Sequence, residues 1–268
     1  MMMKVKRESF FSPLMKVLLA TVGFLPFNSL LALLSNGLYG NVSSGPIFVL
    51  GYLFYALFFI KVLDKQTWKA LNLSFNKKSV KGFLLSFLLT AALIFLGSVI
   101  ARFLFHDNPF QIQRKLSLAN IFIYTLTSFS AAFLVQGFPE ELIFRGYMTQ
   151  ALRTKYSPIV SLFITSGLFT LIHAFHIFRE GLVSGLLTMF IAFSLAFLAY
   201  LLKCIFETTW AAVAVHGGVH FTRMMLVLLG FSESHIAILM HSLFLLLVAL
   251  IIFYRFRDRL TKTIEVRL

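Results

Sequence analysis

A chain of 268 residues that is 59% hydrophobic, holds 33 Phe and is charged at only 13% of its positions is not a soluble globular domain. Its formal charge of +14 invites a nucleic-acid reading, but the Lys and Arg sit in the polar segments between long apolar runs, so no nucleic acid is expected as a partner. That pattern marks membrane topology and contact with anionic membrane lipid. The single Cys204 excludes an internal disulfide and a cysteine-based metal cluster.

Along the chain, apolar stretches occur at 14–35, 46–63, 82–105, 119–138 with a continuation to 152, 158–178, 182–202, 209–229 and 236–255. Each is long enough to cross a hydrocarbon core of ~30 Å as a helix. A β-barrel would need alternating apolar and polar residues, and the unbroken runs of Leu, Phe and Ala lack that alternation. The predicted fold is therefore all-α: a polytopic bundle of about eight transmembrane helices, forming one domain over 1–268 and lying in the cell membrane as a multi-pass protein. The first stretch follows a basic N-terminus, but it is too long for a signal sequence's apolar region and lacks a small-x-small cleavage site, so it reads as a retained first span. An even number of spans puts both termini on one side. With the N-terminus in the cytoplasm, all but five of the 24 Lys and Arg fall inside, the exceptions being Arg102, Arg114, Lys115, Arg179 and Arg223, so both termini are expected to be cytoplasmic. The longest polar stretch, about 64–81, has room only for a short interfacial helix.

The fourth stretch carries Glu140, Glu141 and Arg145. A charge at bilayer depth costs several kcal/mol unless it is paired or used. Glu141 and Arg145 are i,i+4 neighbours with the acid nearer the N-terminus, the favourable order for an ion pair. Glu140 points about 100° away on a helix and has no local partner. Pro139 removes an amide from the ladder and predicts a kink beside the carboxylates. In the competing reading, the span ends at 138 and Pro139 opens a cytoplasmic helix with acids at its N-terminus.

The fifth stretch carries His173, with Phe169 four residues before it and His176 near the outer end of the span. If the chain turns near Tyr156, Glu140 and His173 both lie about 24 Å from the turn at 1.5 Å per residue. They then share a depth, which favours one long fourth helix over 119–152. The seventh stretch carries His216 and His220, i,i+4 on one face and surrounded by Ala and Gly that permit close helix approach. Measured from Lys203, His216 lies about 20 Å into the membrane, near the same depth. Glu140, His173, His216 and His220 are thus expected to line one cavity. They are also the candidate ligands if a zinc ion is present, although a zincin motif needs Glu directly after its first His and Gly217 stands there. His106, Asp107, His235 and His241 read as loop or packing residues, and Glu207 as the start of a helix.

Glu140-Glu141-x-x-x-Arg145, Phe169-x-x-x-His173 and His216-x-x-x-His220, each on its own apolar helix, resemble the CPBP family of intramembrane proteases, which includes the type II CAAX prenyl proteases (Rce1-like) and bacteriocin-processing and immunity proteins. The likeness is close over about 137–221, extends through Phe144-Arg145-Gly146-Tyr147, and places a family-like catalytic core at about 119–229. It implies an intramembrane endopeptidase acting on a peptide or lipid-modified peptide. By that resemblance Glu140 and His173 activate water, Glu141 holds Arg145, and His216 with position 220 polarises the scissile carbonyl and stabilises the oxyanion. This chain has His220 where the family usually has Asn or Asp. Two alternatives stay open: a zinc-dependent metalloprotease form of the same site, and a non-catalytic scaffold or immunity protein that keeps the fold.

Overall fold

A computed structural model describes residues 11–35, 44–107 and 117–262. Among these residues the chain is helical with no strand, and eight helices are long and apolar enough to cross a membrane: α1 (Pro13–Leu34), α2 (Ser44–Leu63), α3 (Lys77–Leu104), α4 (Leu118–Leu152), α5 (Pro158–Glu180), α6 (Leu182–Phe206), α7 (Thr209–Leu228) and α8 (His235–Asp258). This is an integral, multi-pass membrane protein. Arg114, Lys115, Arg267 and the N-terminal Lys4, Lys6 and Arg7 lie outside the described residues, so the predicted sidedness of the termini rests on charge alone.

α6 and α7 are the most buried spans, whereas α1, α2 and α8 keep most of their surface toward lipid. α7 is central, packing against α3, α4 and α6, while α8 covers α3 and α6, α5 lies on α6, and α2 lies on α4. Glycine sets the closest of these contacts. A Cβ at Gly217 would stand 2.2 Å from the Phe133 ring, and one at Gly137 would stand 2.9 Å from the Gly217 nitrogen, so α4 and α7 meet almost backbone to backbone. That approach brings the glutamates and His216 within reach of each other.

α4 runs unbroken through Pro139, which excludes a separate cytoplasmic helix beginning there. Its departure from α geometry takes the form of two wide π-helical stretches, Ser130–Gly137 and Leu142–Met148, on either side of Phe138–Glu141. Five-residue turns loosen the ladder where proline withholds an amide, and such π insertions are frequent at functional sites. α5 is also irregular: its α-helical part ends at Leu171, residues 172–175 form a turn, and helix resumes at His176. His173 therefore occupies a turn rather than a regular helical position.

The 64–81 stretch holds a 3₁₀ turn, Trp68–Leu71, and then the first residues of α3 from Lys77. It is tied to the start of α7 instead of lying free at the interface. Thr209 Oγ1 donates to Leu71 O (2.7 Å), its amide donates to Asn72 O (3.1 Å), and Trp210 Nε1 donates to Leu73 O (3.2 Å). Thr208, with its side chain accepting from the Trp210 amide, is the N-cap of α7. The expectation that Glu207 begins this helix is corrected: Glu207 takes a left-handed conformation (φ 51°) between α6 and α7 and pairs with Lys78. Two cations assigned to the inner surface are in fact buried: Lys16, paired with Asp64 at the end of α2, and Lys203 on α6.

Candidate active site

The site grows out of the α4–α7 contact. Glu141 Oε1 accepts from Arg145 Nη1 (3.0 Å) one turn along α4 and from His216 Nδ1 (2.9 Å) across on α7. The expected i,i+4 pair is present, but its carboxylate also orients an imidazole. Glu141 and Arg145 are both 0% exposed and His216 is 2% exposed, so each charge depends on its partners rather than on water.

Fixing Nδ1 fixes the chemistry of the other ring nitrogen. A neutral imidazole carries one N–H, and donation from Nδ1 to Glu141 leaves Nε2 with its lone pair. That Nε2 faces Glu140 Oε2 at 3.9 Å. Oε2 of Glu140 is itself buried and accepts no hydrogen bond. The neighbouring glutamates therefore differ at one oxygen: Oε1 of Glu141 accepts twice, while the Oε2 atoms of Glu141 and Glu140 are both buried without a hydrogen bond.

Phe169 gathers the remaining groups. Its ring lies 4.7 Å below the Arg145 guanidinium carbon, 5.6 Å from the His216 ring in an edge contact, and 4.9 Å from the His173 ring. It also packs edge-on against Phe144 at 5.0 Å. The Phe169 carbonyl accepts from His173 Nδ1 (2.8 Å), so in its neutral form His173 likewise presents Nε2 as a base. The His220 ring lies 5.1 Å from that of His216. Of the six candidate residues, Glu140, Glu141, Arg145 and His216 are in direct contact or facing. His173 is joined to them through Phe169, and His220 through His216.

A zinc ion fits this arrangement poorly. Among the described residues no three His, Cys, Asp or Glu side chains converge as metal ligands would. Zinc needs about three protein ligands; donation from Nδ1 leaves Nε2 of His216 and of His173 open to a metal, but these nitrogens and the nearby carboxylates do not gather into such a set.

Sequence reasoning missed Lys203. Its Nζ donates to the backbone carbonyl of Arg145, so it enters the core beneath the Glu141–Arg145 turn. The signal was available in Leu201-Leu202-Lys203-Cys204-Ile205-Phe206, where a lysine stands between apolar residues on both sides. Outside the site two imidazoles bond to serines of neighbouring spans: buried His241 Nε2 meets Ser98 Oγ at 2.8 Å, and exposed His235 Nε2 meets Ser184 Oγ at 2.9 Å.

Residues 122–222 match the family model described as type II CAAX prenyl endopeptidase Rce1-like, and that segment contains all six candidate residues. A comparison with curated proteins gives no match. The match spans less than half of the chain; together with the eight apolar helices and the spacing of the three motifs it supports a relation of this segment to the CPBP family of intramembrane proteases.

Proposed function

We propose that this protein is an intramembrane endopeptidase that cleaves a membrane-associated peptide, prenylated or carrying a leader, with Glu140 as the general base. The carrying observation is the half-buried Glu140 carboxylate on a membrane-spanning helix, whose buried Oε2 accepts no hydrogen bond and lies 3.9 Å from the open nitrogen of His216. Glu141, by contrast, is held at Oε1 by both Arg145 and His216, which leaves Glu140 as the carboxylate open to a water beside the imidazole.

In this reading a water between Glu140 and the imidazoles gives a proton to Glu140 as its oxygen attacks the scissile carbonyl. The tetrahedral oxyanion takes an N–H from His220, the C–N bond breaks, and Glu140 returns the proton to the leaving amine. His173, with its Nδ1 engaged, orients the water through Nε2. The sequence-based role of His216 changes: while Nδ1 donates to Glu141, Nε2 of the neutral ring cannot donate to an oxyanion, so His216 acts beside Glu140 on the water. Glu141 and Arg145 are positioning residues that hold His216 and the π turn. Surrounding apolar side chains keep bulk water out and admit a lipid-borne substrate from the bilayer.

The test is cleavage of a farnesylated CAAX peptide, its unprenylated counterpart and a leader peptide by the purified full chain in liposomes. Glu140→Gln is expected to lower kcat about a hundred- to ten-thousand-fold, the usual contribution of a general base. Unchanged cleavage by Glu140→Gln overturns the assignment. A wild-type chain that cleaves nothing, while Glu140→Gln retains its phenotype in cells, favours the scaffold reading that His220 invites.

A further inference from the structure

From the surroundings of the Arg145 carbonyl we infer that Lys203 is a positioning residue for the site, holding the wide turn of α4 at the register that lets Glu141 clamp His216. Where a π stretch returns to α geometry, the ladder skips one acceptor and leaves a carbonyl without an amide from its own helix. That seam lies at Met148–Thr149. Two side chains serve it: Thr149 Oγ1 donates to the Phe144 carbonyl (3.0 Å) and Lys203 Nζ, arriving from α6, donates to the Arg145 carbonyl. The Arg145 side chain holds Glu141, and Glu141 holds His216 Nδ1. One continuous chain of hydrogen bonds thus runs from α6 through the seam to the imidazole that faces Glu140.

Topology alone does not account for this lysine. A lysine near the end of a span ordinarily extends its ammonium to the interface, yet Lys203 is 7% exposed and turned inward. It also completes a charge count. The buried cluster holds two carboxylates, Glu140 and Glu141, and Lys203 joins Arg145 as the second cation, so Glu140 can be ionised without leaving the cluster net negative. With its ammonium on the Arg145 carbonyl, Lys203 acts through Arg145 and Glu141.

The kinetic consequence rests on the proteolysis reading, whereas the structural one does not. The test uses the full chain in detergent, wild type beside Lys203→Met, Lys203→Gln and Lys203→Arg. Lys203→Met is expected to lower kcat about tenfold or more, the loss that accompanies a hydrogen bond from a charged donor, with KM within about twofold of wild type. Lys203→Arg, which keeps charge and donor, recovers most of that loss. If Lys203→Met does not fold, Lys203→Gln, polar but uncharged and too short to reach the carbonyl, gives the same fall. Nitrogen NMR of the histidine-labelled chain supplies a readout independent of cleavage. The Nδ1–H signature of His216, assigned by its disappearance in His216→Gln, weakens in Lys203→Met or Lys203→Gln and returns in Lys203→Arg. An unchanged His216 signature in the folded neutral variants overturns the inference. If that signature responds but wild type cleaves no peptide, only the proteolysis reading fails.

Discussion

Glu140 and Glu141 differ by one position in the chain and by two hydrogen bonds in the fold, and that difference is measurable as stability. Glu141→Gln strands the Arg145 guanidinium in a buried site, and breaking such a pair from one side costs about 3 to 5 kcal/mol. We expect a large fall in the melting temperature of the detergent-solubilised protein. Glu140→Gln removes a carboxylate with no partner at Oε2, so its melting temperature should match or exceed that of wild type. A second change separates loss of the pair from loss of one partner: Glu141→Gln with Arg145→Met leaves no isolated charge and should melt above Glu141→Gln alone. If Glu140→Gln proves the less stable of the two single variants, the division of labour between the glutamates is wrong.

At the level of helices, the α4–α7 contact carries a prediction about glycine. A methyl group at Gly217 meets the Phe133 ring at 2.2 Å, whereas one at Gly218 meets Phe87 at 3.3 Å and one at Gly167 meets nothing within 4 Å. Gly217→Ala should therefore destabilise by about 1 to 3 kcal/mol through overpacking and lower kcat by separating His216 from the glutamates. Gly167→Ala should do neither, and Gly218→Ala should fall between them, as thermal melts and peptide cleavage would record. Close approach was legible in the Ala- and Gly-rich run around His216, and the i,i+4 rule foretold the Glu141–Arg145 pair. The two π stretches of α4 were not legible, because Pro139 reports a missing amide without saying how neighbouring turns absorb it. For the same reason sequence spacing could not show that Glu141 serves Arg145 and His216 together, or that His173 stands in a turn.

Across the whole molecule, hydropathy located all eight spans, because each must be apolar over a bilayer's thickness whatever its neighbours do. Charge counting was less exact: Lys16 and Lys203 counted as surface cations but are buried, a property set by packing that hydropathy does not encode. The relative sidedness of the loops nevertheless follows from contacts. Lys16 at the start of α1 pairs with Asp64 at the end of α2, and Lys78 at the start of α3 pairs with Glu207 at the end of α6, which ties these ends to one face. On the opposite face Arg102 at the end of α3 lies over Phe231 before α8, and Ser184 at the start of α6 meets His235. The two faces also differ in charge, since Lys61, Lys65, Lys69, Lys77, Lys78, Lys81, Arg153 and Lys155 accompany the first, while Arg102, Arg179 and Arg223 accompany the second. Positive charge remains on the cytoplasmic side during insertion, so the Lys155 end of α5 should face the cytoplasm and the Arg179 end should face outward. Because Cys204 is the only cysteine, Cys204→Ser gives a clean background for testing this. With Lys155→Cys or Arg179→Cys added at these exposed positions, an impermeant thiol reagent on intact cells should label only the Arg179→Cys protein, and permeabilisation should expose both. The opposite pattern would invert the bundle and place its basic face outside.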